Sequence, residues 1–122
     1  MANAFVHVEL STNDLAKAKD FYGKLFEWTL EDVPMGDDTY TIIKPKAGTG
    51  GGMMKNPVPG TPSFWLAYVE VADIHAATEK AKSLGAKVMR DVTEVPDTGW
   101  LSIITDPTGG TLGLWKPKPR QG

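Results

Sequence analysis

The sequence predicts an α+β chain made of two β-α-β-β-β repeats, and three observations predict it. The same order of elements occurs twice, related segments superpose at an offset of 61 positions, and a proline-rich stretch separates the halves. The offset brings His7-Val8-Glu9-Leu10 onto Tyr68-Val69-Glu70-Val71, Ile42-Ile43 onto Ile103-Ile104, and Gly52-Met53 onto Gly113-Leu114. Identical pairs are few, so the repeated order carries more weight than any one match. A helix covers one sheet face of such a unit and leaves the other bare. Two units therefore predict a curved mixed sheet around a ligand-sized cavity.

In the first half, residues 5–10 alternate and are rich in strand formers. Ser11-Thr12-Asn13-Asp14 then supplies capping side chains, and Leu15, Ala18, Phe21, Tyr22 and Leu25 recur at helical spacing with lysines between them. Strands are predicted near 28–32, 39–44 and 51–54, with turns at 34–37 and 45–50 where proline and glycine cluster. The second half runs the same course. A strand is predicted at 64–71, and Asp73 caps a helix carrying Ile74, Ala77, Ala81 and Leu84, which Gly85 stops. Strands follow near 87–93, 100–105 and 111–115. The reading is one domain over 1–122, with repeat one at about 4–55, a linker at 56–62 and repeat two at about 63–117. Three prolines and a glycine make 56–62 a linker and not an element.

Composition narrows the function. With 41% hydrophobic and 23% charged residues the chain reads as an ordinary globular protein. It has no cysteine, which removes disulfides, thiolate metal sites and cysteine nucleophiles. A net charge of −2 with both signs interspersed gives no electrostatic case for a nucleic-acid partner. Lys116, Lys118 and Arg120 gather at the end, punctuated by Pro117 and Pro119, and read as a frayed, solvated tail. No run approaches the roughly 20 apolar residues that span a bilayer, and no signal peptide opens the chain, so a cytoplasmic protein without a membrane partner is expected.

Three stretches carry a family likeness. They are His7-Val8-Glu9-Leu10 with the capped helix ending in Phe21-Tyr22 and Leu25-Phe26, the segment Leu84-Gly85-Ala86-Lys87-Val88, and the run from Thr105-Asp106-Pro107-Thr108-Gly109-Gly110 through Thr111-Leu112-Gly113-Leu114. Together they resemble the glyoxalase/bleomycin resistance/dioxygenase (vicinal oxygen chelate) superfamily over nearly the whole chain. The resemblance implies that fold, a small-molecule ligand, a homodimer, and a divalent metal held by side chains from the first and last strands of each repeat. Carried over position by position, the first-strand ligands fall on His7 and Tyr68, and the last-strand carboxylates on or next to Gly52 and on Gly113. Tyrosine is a poor ligand and glycine offers no side-chain donor, so one of four ligands survives. A catalytic zinc, nickel or iron site needs about three. The expectation is a protein without a cofactor that binds a small organic ligand, as bleomycin-binding members do. The alternative is a lyase or isomerase of the glyoxalase I type, with a rebuilt metal site involving His7 or an acid/base site at His7 and Glu9.

Other residues fill in the candidate site. Glu9 and Glu70 share strand faces with His7 and Tyr68, because side chains alternate with period two. A histidine with two glutamates suits either a metal or acid/base work; the plain alternative leaves both glutamates in solvent or at a subunit contact. Trp100 and Trp115 are candidates to stack on a ligand, ahead of Trp28 and Trp65. Gly50-Gly51-Gly52 lacks the helix and lysine of a phosphate loop, so Gly52 reads as a place of close approach by backbone or ligand. Met53 and Met54 read as soft filler, and His75 as solvated in the first turn of its helix.

Overall fold

Each helix begins on an aspartate. Asp14 accepts a hydrogen bond from the Lys17 N–H at 3.0 Å, and Asp73 accepts one from Ala76 N–H at the same distance. Each cap satisfies an amide that has no partner inside the helix. The second helix ends as predicted. Gly85, at φ +102°, donates to Lys82 O, and Ala86 donates to Ala81 O, a Schellman pair that needs a residue at ease with positive φ.

The computed structural model describes residues 3–58 and 60–119. The elements are β1 (Phe5–Thr12), α1 (Leu15–Leu25), β2 (Thr29–Met35), β3 (Asp38–Lys44) and β4 (Gly51–Lys55), then β5 (Phe64–Glu70), α2 (Ile74–Ser83), β6 (Lys87–Val95), β7 (Gly99–Thr105) and β8 (Thr111–Pro117). The β-α-β-β-β order thus occurs twice, as expected. The chain divides into two compact units, one formed by His7–Leu66 and one by the other described residues.

In the first unit β1 runs parallel to β4, while β4–β3 and β3–β2 are antiparallel. Leu10, Ile43 and Met53 are buried on the face that α1 covers, with Leu15, Ala18 and Tyr22 of the helix packed on them. A buried side chain of this size contributes about 1.5–3 kcal/mol. The second unit repeats the plan: β5 is parallel to β8, and β8–β7 and β7–β6 are antiparallel. There Val71, Ile74, Ile104 and Leu114 form the core beneath α2.

The strand register refines the offset of 61. Ile42 pairs with Gly52 and Ile103 with Gly113, in keeping with it. On the first strands, however, Glu9 pairs with Gly52 while Tyr68 pairs with Gly113. By register the partner of Tyr68 in repeat one is therefore Glu9, two residues past His7. Two residues is one full strand period, so His7 and Glu9 keep the same face.

Two local expectations need correction. The turn predicted at 34–37 is shorter: β2 runs through Met35, which pairs with Asp38, and only Gly36-Asp37 turns. Gly36 at φ +61° supplies the positive φ of a two-residue hairpin, and Pro34 is tolerated because β2 is the outer strand of its unit. The basic end is not frayed at Lys116 and Lys118. Lys116 lies in β8, Lys118 N–H donates to Thr98 O, and its ammonium meets Glu94. Arg120 falls outside the described residues, as does Pro59 of the linker. The rest of that stretch has no regular structure but is tied down. Asn56, buried, donates to Thr61 Oγ1 at 2.9 Å, and Thr61 Oγ1 donates to Val58 O at 2.7 Å.

Candidate functional site

The bare face of the first unit carries one connected polar set. Period-two alternation sends Leu10 under α1 and leaves His7 and Glu9 on the opposite face of β1. On β3 the same alternation buries Thr41 and Ile43 beneath the helix and turns Tyr40 toward the His7 side. The Tyr40 hydroxyl lies 2.7 Å from His7 Nε2 and donates to Glu9 Oε2 at 2.8 Å. His7 Nε2 and Glu9 Oε2 are 4.0 Å apart, so the hydroxyl joins them where no direct bond reaches. The side chains are 33% and 15% exposed. Burial pushes His7 below the usual histidine value, and the negative charge of Glu9 pulls only part of the way back. The ring is therefore neutral at pH 7.

Tyr40 reaches this position because position 52 is glycine. A Cβ on Gly52 would stand 2.0 Å from the Tyr40 hydroxyl oxygen and 2.2 Å from its ring carbon Cζ. The absent side chain and the tyrosine hydroxyl thus compete for one space. The second unit uses the same device from another strand. A Cβ on Gly113 would stand 2.3 Å from Tyr68 Cδ2, so the Tyr68 ring, 4% exposed, lies over that glycine. Trp115 does likewise to Gly99, whose added Cβ would meet Trp115 Cζ2 at 2.6 Å.

These observations bear on the metal that the family likeness implies. At both last-strand positions the residue lacks a donor, and in each unit a tyrosine fills the space a carboxylate would need. Among the described residues no three His, Asp or Glu side chains gather as an ion would require. The donor set present among the described residues does not fit a divalent ion.

The other predicted residues divide by face. Tyr68, Glu70, Gly113 and Trp115 share the bare face of β5 and β8, with Glu70 paired to Trp115 in register. Trp100 does not join them. Trp115 pairs with Leu101, so Trp100 points the other way, toward α2, and packs against the core there. Lys118 Nζ lies 5.3 Å from its ring centroid. Trp100 is therefore a core residue with a cation over it. On the α1 side Trp28 stacks on Tyr22 at 5.8 Å and Trp65 meets it edge to face at 5.5 Å, Met53 is fully buried, and His75 is exposed. Tyr40 was missed by sequence reasoning. The usable signal was an aromatic residue two places from Ile42, on the strand beside a mid-strand glycine.

Comparison with known proteins identifies the family. The family model described as the Glyoxalase/Bleomycin resistance protein/Dioxygenase superfamily matches residues 4–114. A Mycobacterium tuberculosis protein named "Putative glyoxylase CFP32" is 37% identical over 114 residues, covering 89% of this chain and 44% of that protein. The anthracycline biosynthesis protein DnrV of Streptomyces peucetius is 23% identical, covering 93% of this chain and 47% of its own length. This chain thus spans less than half the length of these curated relatives. Among solved structures, methylmalonyl-CoA epimerase from Mycobacterium tuberculosis superposes with a TM-score of 0.72 at 16% identity, covering 94% of this chain and 88% of its own. That likeness is one of fold.

Proposed function

Because this chain belongs to the glyoxalase/bleomycin resistance protein/dioxygenase superfamily, we propose that it binds a small organic ligand on the His7 face of β1, β3 and β4 without a metal of the family type. The single observation that carries this reading is the Tyr40 hydroxyl, which stands in the side-chain space of Gly52 and bonds both His7 and Glu9. Polar groups joined in this way recognise a ligand by hydrogen bonds. Tyr68, Glu70, Gly113 and Trp115, on the bare face of the second unit, are proposed as further ligand contacts. The names of two relatives from anthracycline biosynthesis favour a partly aromatic ligand. Titrating tryptophan fluorescence with a panel of small aromatic compounds tests the reading. A saturable shift that weakens in the Tyr40→Phe protein is expected. If no compound in the panel gives a saturable shift, the reading fails.

A second reading has its own support. His7 is neutral at pH 7 and one-third exposed, which suits a general base, and one relative is named a glyoxylase. On this reading the chain is a lyase or isomerase with His7 and Glu9 as its acid/base set, and His7→Ala abolishes turnover. Ligand binding without turnover that survives His7→Ala excludes it.

We also infer self-association. Phe21, Leu25, Phe26 and Trp65 are each 41–56% exposed around the end of α1, apolar surface that a second copy of the chain would cover. Sedimentation at micromolar concentration distinguishes dimer from monomer. The chain has no charge bias toward nucleic acid, and no described helix is long and apolar enough to cross a membrane.

A further inference from the structure

The outer strands of the two units hold equivalent places but are built differently. β2 pairs with β3 from Thr29 through Met35 without a break. β6 pairs with β7 in a register that shifts twice, between Val88 and Arg90 and between Arg90 and Thr93. The topology therefore does not impose these bulges. In an unbroken strand, residues three apart point to opposite faces. The extra residue at Met89 cancels that rule. Lys87 pairs with Thr105 and Arg90 with Ile103, two residues apart on β7, so both cations lie on the bare face. Val88 and Val92 pack on the core beneath α2. The carboxylates of the strand lie on that side as well: Glu94 meets Lys118, and Asp91 helps to raise the pKa of Lys82 on α2, after the bond and charge of Glu79.

We infer that Lys87 and Arg90 form an anion site on the bare face of β6, which takes an organic dianion such as an aryl phosphate, with its apolar body over Leu101 and Ile103. Both cations are exposed, and among the described residues neither meets a carboxylate; Arg90 Nε donates only to Thr93 Oγ1, at 3.4 Å. Two like charges gathered on one face repel each other, and a dianion between them removes that cost. The arginine fork suits two oxygens of a phosphate at once. Leu101 and Ile103 are half-buried beside the cations, paired with Thr93 and Arg90. Glu70, the carboxylate on the same face of this unit, stands on β5, three strand spacings or about 14 Å away. Charge of either sign would guard an outer strand against unwanted pairing. The sorting of β6 by sign is what points to an anion. The site uses no residue of the first unit, so it does not rest on the His7 reading.

Amide-shift titration of the intact 15N-labelled protein with phenyl phosphate tests this, at mildly alkaline pH where the probe is a dianion. Phenyl sulfate, a monoanion of nearly the same shape, is the comparison. Saturable shifts are expected in β6 and at Leu101 and Ile103, with phenyl phosphate bound at least about fivefold tighter than phenyl sulfate. Arg90→Gln and Lys87→Gln are each expected to weaken phenyl phosphate by at least about fivefold. Both residues are exposed, so each variant is expected to keep the spectrum of the folded protein. Lys80→Gln removes the same charge from an exposed position on α2, across the sheet, and is expected to leave the affinity unchanged. The absence of a saturable shift in β6 overturns the inference, as does equal binding of phosphate and sulfate. Equal weakening in all three variants overturns it too, and so does binding that survives both Arg90→Gln and Lys87→Gln. None of these outcomes bears on the ligand proposed for the His7 face, which is read from its own titration.

Discussion

Both repeats place a glycine at the same point of their last strand and roof it with a tyrosine, but the tyrosines come from different neighbours and live in different surroundings. Over Gly52 stands Tyr40, from the antiparallel strand β3, with its hydroxyl bonded to His7 and Glu9. Over Gly113 lies Tyr68, from the parallel strand β5, with ring carbons pressed against the glycine and 4% of its surface exposed. One glycine makes room for a polar hydroxyl and the other for a packed ring. The same vacancy in a duplicated strand thus admits a hydroxyl in one half and a ring face in the other.

The largest expected effect of breaking this contrast is on stability. Gly113→Ala drives a methyl group into the Tyr68 ring, which is enclosed, and is expected to cost about 1–3 kcal/mol by overpacking. Gly52→Ala meets the hydroxyl end of Tyr40, the far end of a half-buried side chain bonded to His7 and Glu9, so its cost in stability is expected to be smaller. Its cost in ligand affinity is expected to be the larger of the two, because displacing the hydroxyl breaks its bonds to His7 and Glu9. Chemical denaturation and ligand titration of the two variants side by side decide this. Equal behaviour in both measurements would remove the contrast.

A second pair of equivalent positions sharpens it. Thr41 and Ser102 are both fully buried, 61 residues apart, and each hydroxyl ties sheet to helix in its own way. Ser102 bonds Thr78 of α2 at 2.9 Å, a neutral link inside the core. Thr41 donates to Asp32 at 2.7 Å, and Asp32 is held in turn by Lys19 of α1 at the same distance. The bonds from Lys19 and Thr41 hold the Asp32 carboxyl below its usual value. Ser102→Ala is expected to cost about 1 kcal/mol at any ionic strength. Lys19→Ala acts on a half-exposed pair, so its smaller effect should fade as salt is raised. Urea titrations at low and high salt separate the two.

The smallest expected effect concerns His7. Burial holds its folded pKa below the ordinary histidine value of 6.5, so the unfolded chain binds a proton more readily than the folded one. Its contribution to stability is therefore full above 6.5 and is lost as pH falls through the lowered folded value. His7→Gln should flatten stability against pH in that window, which urea titrations across the acid range check.

Much of the fold was legible because the signals that encode it are local. Asp14 and Asp73 announced their helices and Gly85 the end of the second one. Alternation in 5–10 and 64–71 fixed which side chains share a face. The hairpin at Gly36-Asp37 was drawn too long because Pro34 reads as a turn residue, and only the outer position of β2 makes it acceptable in a strand. That Trp100 faces away from Trp115 could not be read for a related reason: their relative parity depends on the pairing of β7 with β8, a long-range register that neither strand states alone. The site was half legible. His7, Glu9 and the missing donor at Gly52 could be read directly, but Tyr40 came into view only once β3 was laid against β4.

Tyr40 fills the space that a coordinating side chain at position 52 would need, and on the proposed reading the site therefore takes no metal of the family type. Calorimetric titration of Zn²⁺ and Ni²⁺ into chelator-treated protein, compared with the His7→Ala variant, tests it most directly. The account predicts no stoichiometric binding and the same weak heats for both proteins. One ion bound per chain, with the affinity lost in His7→Ala, would contradict it.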